Sequence, residues 1–509
     1  MTLARRIWHL AFVVAVGLSL VSFRMAYWPL LRSRDRHPVA PDVQAYAEAG
    51  SSLEGGAQPQ ELPAPVVQRT VQKLASVTRG TIYDREGRPL AYDRPEDRTR
   101  VYAEPSLAHV VGYVSGLRLG VAGIEATHNR TLLGLDRPDS QLMEAMHRPI
   151  AGSDVYLTID LELQQVAARA LGGRAGAVVA LDGHSGAVLA MVSAPGFDPN
   201  RVLEEGYAAG LLAQGQNAFV NRATQGLYVP GSTWKTVTLI AALDSGQVSP
   251  ATVFDFGEPR TNAQGRRYYV YEVDGFVVED PNHEERTLNL QGAYVRSANA
   301  AFARMADEMD PAAYIRYAQA LGIGRDEPPP IEIAAAASRL AGDLASLETN
   351  NVLQASTGFG QGELLVSPLS MALVAASVVN AGHVPEPHLV QAVRSPSGVP
   401  LQVDVRRNWI RNAMRPATAR TVHDMMVAVV DSGQARDASV PGATVGGKTG
   451  TAQLGGSLSP HAWFIGFVET EDRVVAIAVI VEQGGSGGSV AAPIFGQVAR
   501  AAVERLGGR

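Results

Sequence analysis

Ser232 and Lys235 stand three residues apart in Val229-Pro230-Gly231-Ser232-Thr233-Trp234-Lys235-Thr236, ahead of an apolar run from Val237 to Leu243. Pro230 and Gly231 interrupt whatever precedes them. Leu239, Ile240 and Leu243 recur at helical spacing, so the sequence predicts a helix with Ser232 in its first turn. A spacing of three is about one turn, which puts the hydroxyl and the amine on one face. The helix N-terminus offers unpaired N–H groups and partial positive charge, and both favour a developing alkoxide or a tetrahedral oxyanion. The amine serves as a base only where burial or a neighbouring charge depresses its pKa enough to populate the neutral form. Taken alone, the pair reads as two solvated residues on an exposed helix.

Two further sets of residues change that reading. Ser297-Ala298-Asn299 lies at the head of a second predicted helix, within Tyr294 to Phe302. Lys448-Thr449-Gly450-Thr451 follows Val445-Gly446-Gly447 and precedes a series of strands. Alone, Asn299 reads as a helix-start residue, and Lys448 and Thr449 as solvated positions on an edge strand. In the order Ser-x-x-Lys, Ser-x-Asn, Lys-Thr-Gly, on helix, helix and strand, the three sets resemble the signature of penicillin-binding proteins and serine β-lactamases.

The elements around them read as follows. Val155 to Asp160 leads into a helix at about Leu161 to Leu171. Ala175–Leu181 and Ala187–Val192 form a hairpin across Asp182-Gly183-His184-Ser185-Gly186, and Phe197-Asp198-Pro199-Asn200 closes this block. Ala443–Leu454, His461–Glu469 and Arg473–Glu482 read as three more strands, and Pro493–Leu506 as a terminal amphipathic helix. Strands at both ends with helices between them predict an α+β fold, with an antiparallel sheet of about five strands packed by helices. Gly358-Phe359-Gly360-Gln361-Gly362 reads as a turn before a helix, with no chemistry assigned. His461 and Trp463 read as structural or cleft-lining.

At 509 residues the chain has room for two or more domains. Charged residues make up 18% and the net charge is −6, which argues against a nucleic-acid partner. Cysteine is absent, so no disulfide, zinc-thiolate site or thiol nucleophile is possible. The eleven histidines show no metal-ligand spacing and no phosphate-binding glycine loop appears, so neither metal nor cofactor is expected. Ile7 to Phe23 is nearly continuous apolar sequence, and as a helix it spans about 26 Å. Extension past Arg24 to Leu31 makes it long enough to cross a bilayer, with Trp8, Tyr27 and Trp28 at the two interfaces. A cleaved signal peptide is the competing reading, but no small-x-small site follows the run. The expected organisation is a short cytoplasmic tail and anchor over 1–31, a stalk over 32–75, a small non-catalytic α/β module over 76–150 and a catalytic domain over 151–509. The arginines flanking the span, Arg5 and Arg6 before it and Arg32, Arg34 and Arg36 after it, lean by themselves against an exported catalytic domain, and only the resemblance to penicillin-binding proteins places that domain outside.

Thr78-Arg79-Gly80-Thr81-Ile82-Tyr83-Asp84-Arg85-Glu86-Gly87-Arg88-Pro89-Leu90-Ala91 reads as a hairpin turning at Glu86-Gly87. In isolation its charges are surface charges. Its pattern is similar to the segment that opens the extracytoplasmic part of class B penicillin-binding proteins, where the role is structural. Val111-Gly112-Tyr113 to Gly123-Ile124-Glu125 resembles the short actinobacterial-type members. The resemblance runs from Arg79 to the end.

The resemblance implies a peptidoglycan D,D-transpeptidase. Ser232 is then the nucleophile toward a D-Ala-D-Ala peptide and Lys235 its base, although the superfamily admits more than one acceptor for that proton. Ser297 relays a proton to the leaving nitrogen, and Asn299 holds Lys235 and the substrate amide. Lys448 adds positive charge, and Thr449, Gly450 and Thr451 form the stretch that binds the substrate carboxylate. The backbone N–H groups of Ser232 and Thr451 form the oxyanion hole. The implied partners are peptidoglycan stem peptides, β-lactams as inhibitors, the bacterial cytoplasmic membrane, and a polytopic glycan polymerase of the shape, elongation, division and sporulation type. The alternatives are a membrane-anchored β-lactamase and a non-catalytic cell-wall scaffold.

Overall fold

A computed structural model describes residues 77–114, 120–137, 146, 151–405, 407–432 and 435–506. The expected anchor and stalk lie outside the described residues. Among the described residues, no helix is long and apolar enough to cross a membrane.

The chain opens on β1 (Ile82–Tyr83), β2 (Pro89–Asp93) and β3 (Arg100–Tyr102), and returns after a helical excursion as β4 (Asp154–Leu157). The turn between β1 and β2 closes on Asp84, whose buried Oδ1 accepts the N–H of Glu86 at 2.9 Å and of Arg88 at 2.8 Å. Next come α1 (Leu161–Leu171) and the hairpin β5 (Gly176–Asp182) and β6 (Val188–Ala194). Asp160 starts α1 by accepting from the N–H groups of Glu162 and Leu163, and Gly172 ends it in the left-handed region at φ 65°. The middle of the chain supplies α2 (Lys235–Ser245), the hairpin β7 (Arg267–Val273) and β8 (Phe276–Asp280), α3 (Leu290–Val295), α4 (Asn299–Asp307), α5 (Pro311–Ala320), α6 (Asn351–Gly358) and α7 (Pro368–Val379). The rest is β9 (Val390–Arg394), β10 (Pro400–Val403), α8 (Pro416–Ser432), β11 (Thr444–Ala452), β12 (His461–Glu469), β13 (Val474–Val481) and α9 (Ala492–Leu506).

The central sheet has five strands in the order β11-β12-β13-β5-β6, every pair antiparallel. Every residue of β13 is buried, because α7 packs against one face of the sheet while α1 and α9 pack against the other. That is why β12 and β13 read as continuous apolar runs rather than alternating ones. Helix α7 is buried from Pro368 to Val378, as expected of a helix that is apolar all round. The edge strand β6 is covered by α1. Gln164 donates from Nε2 to the carbonyl of Met191 at 2.9 Å and accepts its N–H at Oε1 at 2.8 Å, replacing a neighbouring strand.

A second sheet has six strands in the order β10-β9-β4-β1-β2-β3. It joins the opening segment to strands some three hundred residues downstream, with β1 parallel to β4 and β4 antiparallel to β9. Behind it two charges of the opening segment, Arg79 and Asp84, are buried, contrary to their surface reading, while Glu86 stays exposed. Arg79 donates from Nε to Glu125 Oε2 at 2.8 Å and from Nη1 to Asn129 Oδ1 at 2.8 Å. Arg100 donates from Nε to Glu125 Oε1 at 2.7 Å and pairs with Asp93 at 3.3 Å. Burial pushes the Glu125 carboxyl up, but the guanidinium groups of Arg100 and Arg79 outweigh it and hold it below its ordinary value.

Candidate active site

Ser232 lies in a turn of 3-10 helix, Gly231–Trp234, that runs directly into α2. In such a turn residues three apart eclipse one another, so Ser232 stacks over Lys235. The helix below departs from the expected single apolar stripe, since every residue from Lys235 to Leu243 is buried. Its threonines tolerate burial because each is bonded. Thr236 Oγ1 and Tyr294 Oη are hydrogen-bonded at 2.8 Å, and Thr238 Oγ1 donates to the carbonyl of Gly358 at 2.7 Å. Trp234 donates from Nε1 to Tyr314 Oη at 2.9 Å. The helix and the turn that carries Ser232 are thereby pinned from three sides.

Lys235 Nζ is buried and meets three oxygens: the Ser297 carbonyl at 2.7 Å, Asn299 Oδ1 at 2.7 Å and Ser297 Oγ at 3.1 Å. The two carbonyl-type oxygens can only accept, so a neutral amine gives its two hydrogens to them and turns its lone pair elsewhere. Burial is the main cause that pushes the Lys235 amine well below its usual value, and Lys448 adds to it, while Asp280 opposes both. Lys448 Nζ donates to the same Ser297 Oγ at 3.1 Å and to the carbonyl of Thr449 at 3.3 Å. It is 1% exposed, so the solvated edge-strand reading of this lysine is corrected: β11 carries it inward, over the Tyr294 ring at 5.8 Å. Burial brings its amine down to about 7. Ser297 Oγ thus bridges the two amines. Ser297 itself sits at φ 58°, a left-handed conformation rare for a residue with a side chain.

Thr449, Gly450 and Thr451 continue β11, with Thr449 buried and Thr451 exposed. Gly450 abuts the Ser232 turn: an added Cβ there would lie 2.7 Å from the Pro230 carbonyl oxygen and 2.9 Å from Thr233 Cγ2. All three motifs therefore converge on one site.

Residues 176–500 match the family described as Penicillin binding protein transpeptidase domain, and residues 79–155 match Penicillin binding protein A dimerisation domain. The chain belongs to the penicillin-binding protein transpeptidase family. It is 33% identical, over 87% of its length and 92% of the relative's, to the peptidoglycan D,D-transpeptidase PbpA of Mycolicibacterium smegmatis. The ceftriaxone acyl-enzyme complex of penicillin-binding protein A from M. tuberculosis is similar at a TM-score of 0.74 and 30% identity, covering 85% of this chain and 100% of that one. The D,D-transpeptidase domain of a peptidoglycan glycosyltransferase from Eggerthella lenta is similar at a TM-score of 0.71 and 30% identity, covering 84% and 99%.

Within this penicillin-binding transpeptidase fold, residues outside the three motifs also hold the site. The glycine stretch given no chemistry from sequence braces the Ser232 turn: Gly231 donates its N–H to the Gly360 carbonyl at 3.1 Å. Gly360 has φ 90°, and a Cβ on it would lie 1.8 Å from the Gly231 carbonyl oxygen. Gly360→Ala is expected to push the Ser232 turn out of place and slow acylation by about 10²-fold, the scale of a 1 Å misplacement. A penicillin acylation rate within twofold of wild type in this variant would refute that bracing role. Trp463 is buried and donates from Nε1 to the Val229 carbonyl at 3.1 Å, and His461 accepts the Gln483 N–H at 3.0 Å. Trp463 thereby buttresses the turn from β12, while His461 packs edge-on against Tyr228, with ring centroids 5.4 Å apart. Glu279, Asp280 and Asn282, at the end of β8, lie under the Ser297 turn. Their only signal in the sequence is a Pro281-Asn282 turn, which predicts a bend and not a function.

Proposed function

We propose that the protein is a peptidoglycan D,D-transpeptidase that works through a Ser232 acyl-enzyme and is inhibited by β-lactams. The observation that carries this reading is the pair of buried amines joined through Ser297 Oγ beside Ser232, in a chain of the penicillin-binding transpeptidase family. Neutral Lys235 accepts the Ser232 proton as Oγ attacks the carbonyl carbon of the penultimate D-alanine. The carbonyl π pair moves onto oxygen, and the resulting oxyanion is held by the backbone N–H groups of Ser232 and Thr451. Collapse breaks the C–N bond, and the departing D-alanine nitrogen takes back the proton from Lys235 through Ser297. Asn299 orients Lys235 and donates to the substrate amide. Lys448, in its charged form, and the hydroxyls of Thr449 and Thr451 bind the terminal carboxylate, and Gly450 leaves room for that strand to meet the nucleophile turn. An amine of a neighbouring stem peptide then attacks the ester, forming the cross-link and regenerating the Ser232 hydroxyl.

The wider organisation follows from the same reading. Residues 1–31 are a cytoplasmic tail and a single membrane anchor, 32–75 a stalk, 76–150 a non-catalytic module and 151–509 the extracytoplasmic transpeptidase domain. Glycan polymerisation comes from a polytopic polymerase partner in the bacterial cytoplasmic membrane.

Intact-protein and peptide mass spectrometry after exposure to benzylpenicillin tests the catalytic reading. The expected result is a long-lived adduct on the Ser232 peptide that is absent in Ser232→Ala. An adduct that clears rapidly with drug hydrolysis would indicate a β-lactamase. No adduct would leave a scaffold on a shared fold.

A further inference from the structure

Glu279-Asp280-Pro281-Asn282-His283 runs beneath the Ser297-Ala298-Asn299 turn and belongs to none of the three motifs. Its polar groups are directed at that turn. The Glu279 carbonyl accepts from Asn299 Nδ2 at 3.0 Å, Asp280 Oδ2 accepts the Ala300 N–H at 2.9 Å, and Asn282 Nδ2 donates to the Ser297 carbonyl at 2.9 Å. The Ser297 carbonyl is therefore shared between Asn282 and Lys235. A residue held at φ 58° persists only where its surroundings over-determine it, and these three bonds do so.

Asp280 is fully buried, and its Oδ1 has no hydrogen-bond partner among the described residues. The neighbouring base is His283, whose Nε2 stands 3.5 Å from Asp280 Oδ2, a distance that makes a poor hydrogen bond. His283 Nδ1 faces the Glu285 carbonyl at 2.9 Å and donates there, which leaves Nε2 as the ring nitrogen turned toward the carboxylate. The ring is locked by stacking on Tyr269, with centroids 5.1 Å apart. An incompletely paired buried carboxylate costs folding stability, so a site that keeps one close to the buried Lys235 amine has a use for its charge.

We propose that Glu279–His283 is a positioning element of the site: Asn282 fixes the Ser297 carbonyl, and Asp280 caps the helix bearing Asn299 while setting a fixed negative charge near Lys235. This rests on the acyl-transfer reading above and deepens it. Both are positioning residues, since each acts on the reacting atoms through Ser297, Asn299 or Lys235. The groups facing Lys235 are Lys448 from β11, Asp280 from β8 and the Phe302 ring from α4, with His283 beyond Asp280 and Tyr294 of α3 beneath Lys448. Asp280 favours the ammonium form of Lys235. Its charge therefore sets how far the pH falls before the free amine is lost.

The test is the pH profile of Ser232 acylation by benzylpenicillin in the full chain. Asp280→Asn keeps an oxygen for the Ala300 N–H and removes the charge, so the acid limb is expected to move to lower pH by on the order of one unit. Asp280→Ser, a smaller neutral cap, covers the case in which the amide does not fold, and must move the limb the same way. Asn282→Ala is expected to slow acylation about tenfold at every pH with the limb in place, the scale of one lost hydrogen bond. Folded Asp280 variants with a wild-type limb would overturn the charge role, and a wild-type rate in Asn282→Ala would overturn the carbonyl role. If the wild type itself forms no adduct, the acyl-transfer reading fails and takes this inference with it; a normal wild-type adduct with unmoved variants defeats this inference alone.

Discussion

Lys235→Met is expected to lose penicillin acylation at Ser232 by roughly 10³-fold or more while melting no lower than the wild type. The loss follows from the chemistry: methionine has about the same length and no lone pair able to take the serine proton at neutral pH. The retained stability follows from linkage. Burial and Lys448 hold the Lys235 amine well below its usual value, and burial holds Lys448 at about 7, so the folded protein binds fewer protons than the unfolded chain above that pH. The folded state therefore carries the cost of these amines in full below the depressed pKa and sheds it as pH rises toward the ordinary lysine range. An apolar side chain removes that cost at neutral pH. Differential scanning calorimetry beside mass spectrometry of the adduct checks both halves. A variant that still acylates at near wild-type rate would remove Lys235 from the base role. One that melts many degrees lower would make the lysine a net structural contact.

Glu125→Ala is expected to cost about 3–5 kcal/mol of stability, the opposite outcome for an equally buried charge. Lys235 neutralises itself by losing a proton, but Arg79 and Arg100 keep their charge at any relevant pH. Glu125 joins them, with bonds of 2.8 and 2.7 Å and both guanidinium groups almost wholly buried. Its removal leaves two uncompensated cations facing each other in the interior. Urea denaturation followed by circular dichroism measures the loss, and a change below about 1 kcal/mol would mean that water or Asp93 compensates in full. The folded fraction should still acylate, because Glu125 contacts none of the motif residues.

These two expectations also mark what sequence does and does not disclose. The hairpin β5–β6, the strands β11 to β13 and the terminal helix were legible because their signals are local: alternation or continuous apolar runs bounded by Asp182-Gly183 or Thr470-Glu471-Asp472 turns. The three motifs that the proposed chemistry uses were legible because that chemistry requires those residue types in those short spacings. The burial of Arg79 and Glu125 was not, since a charge run looks the same whether its partner is water or a carboxylate 46 residues away.

By itself, the sequence determined which groups exist to do chemistry, on what kind of element each stands, and that cysteine and thiol chemistry are excluded. Only the tertiary structure decided their states. It placed Lys448 inward rather than in solvent, joined both amines through one hydroxyl, set Gly360 against Gly231, and brought Asp280 and Asn282 under a strained serine. The reason is physical. Periodicity and turn chemistry act over a few residues, whereas desolvation and charge–charge coupling depend on which distant segments the packed core forces together.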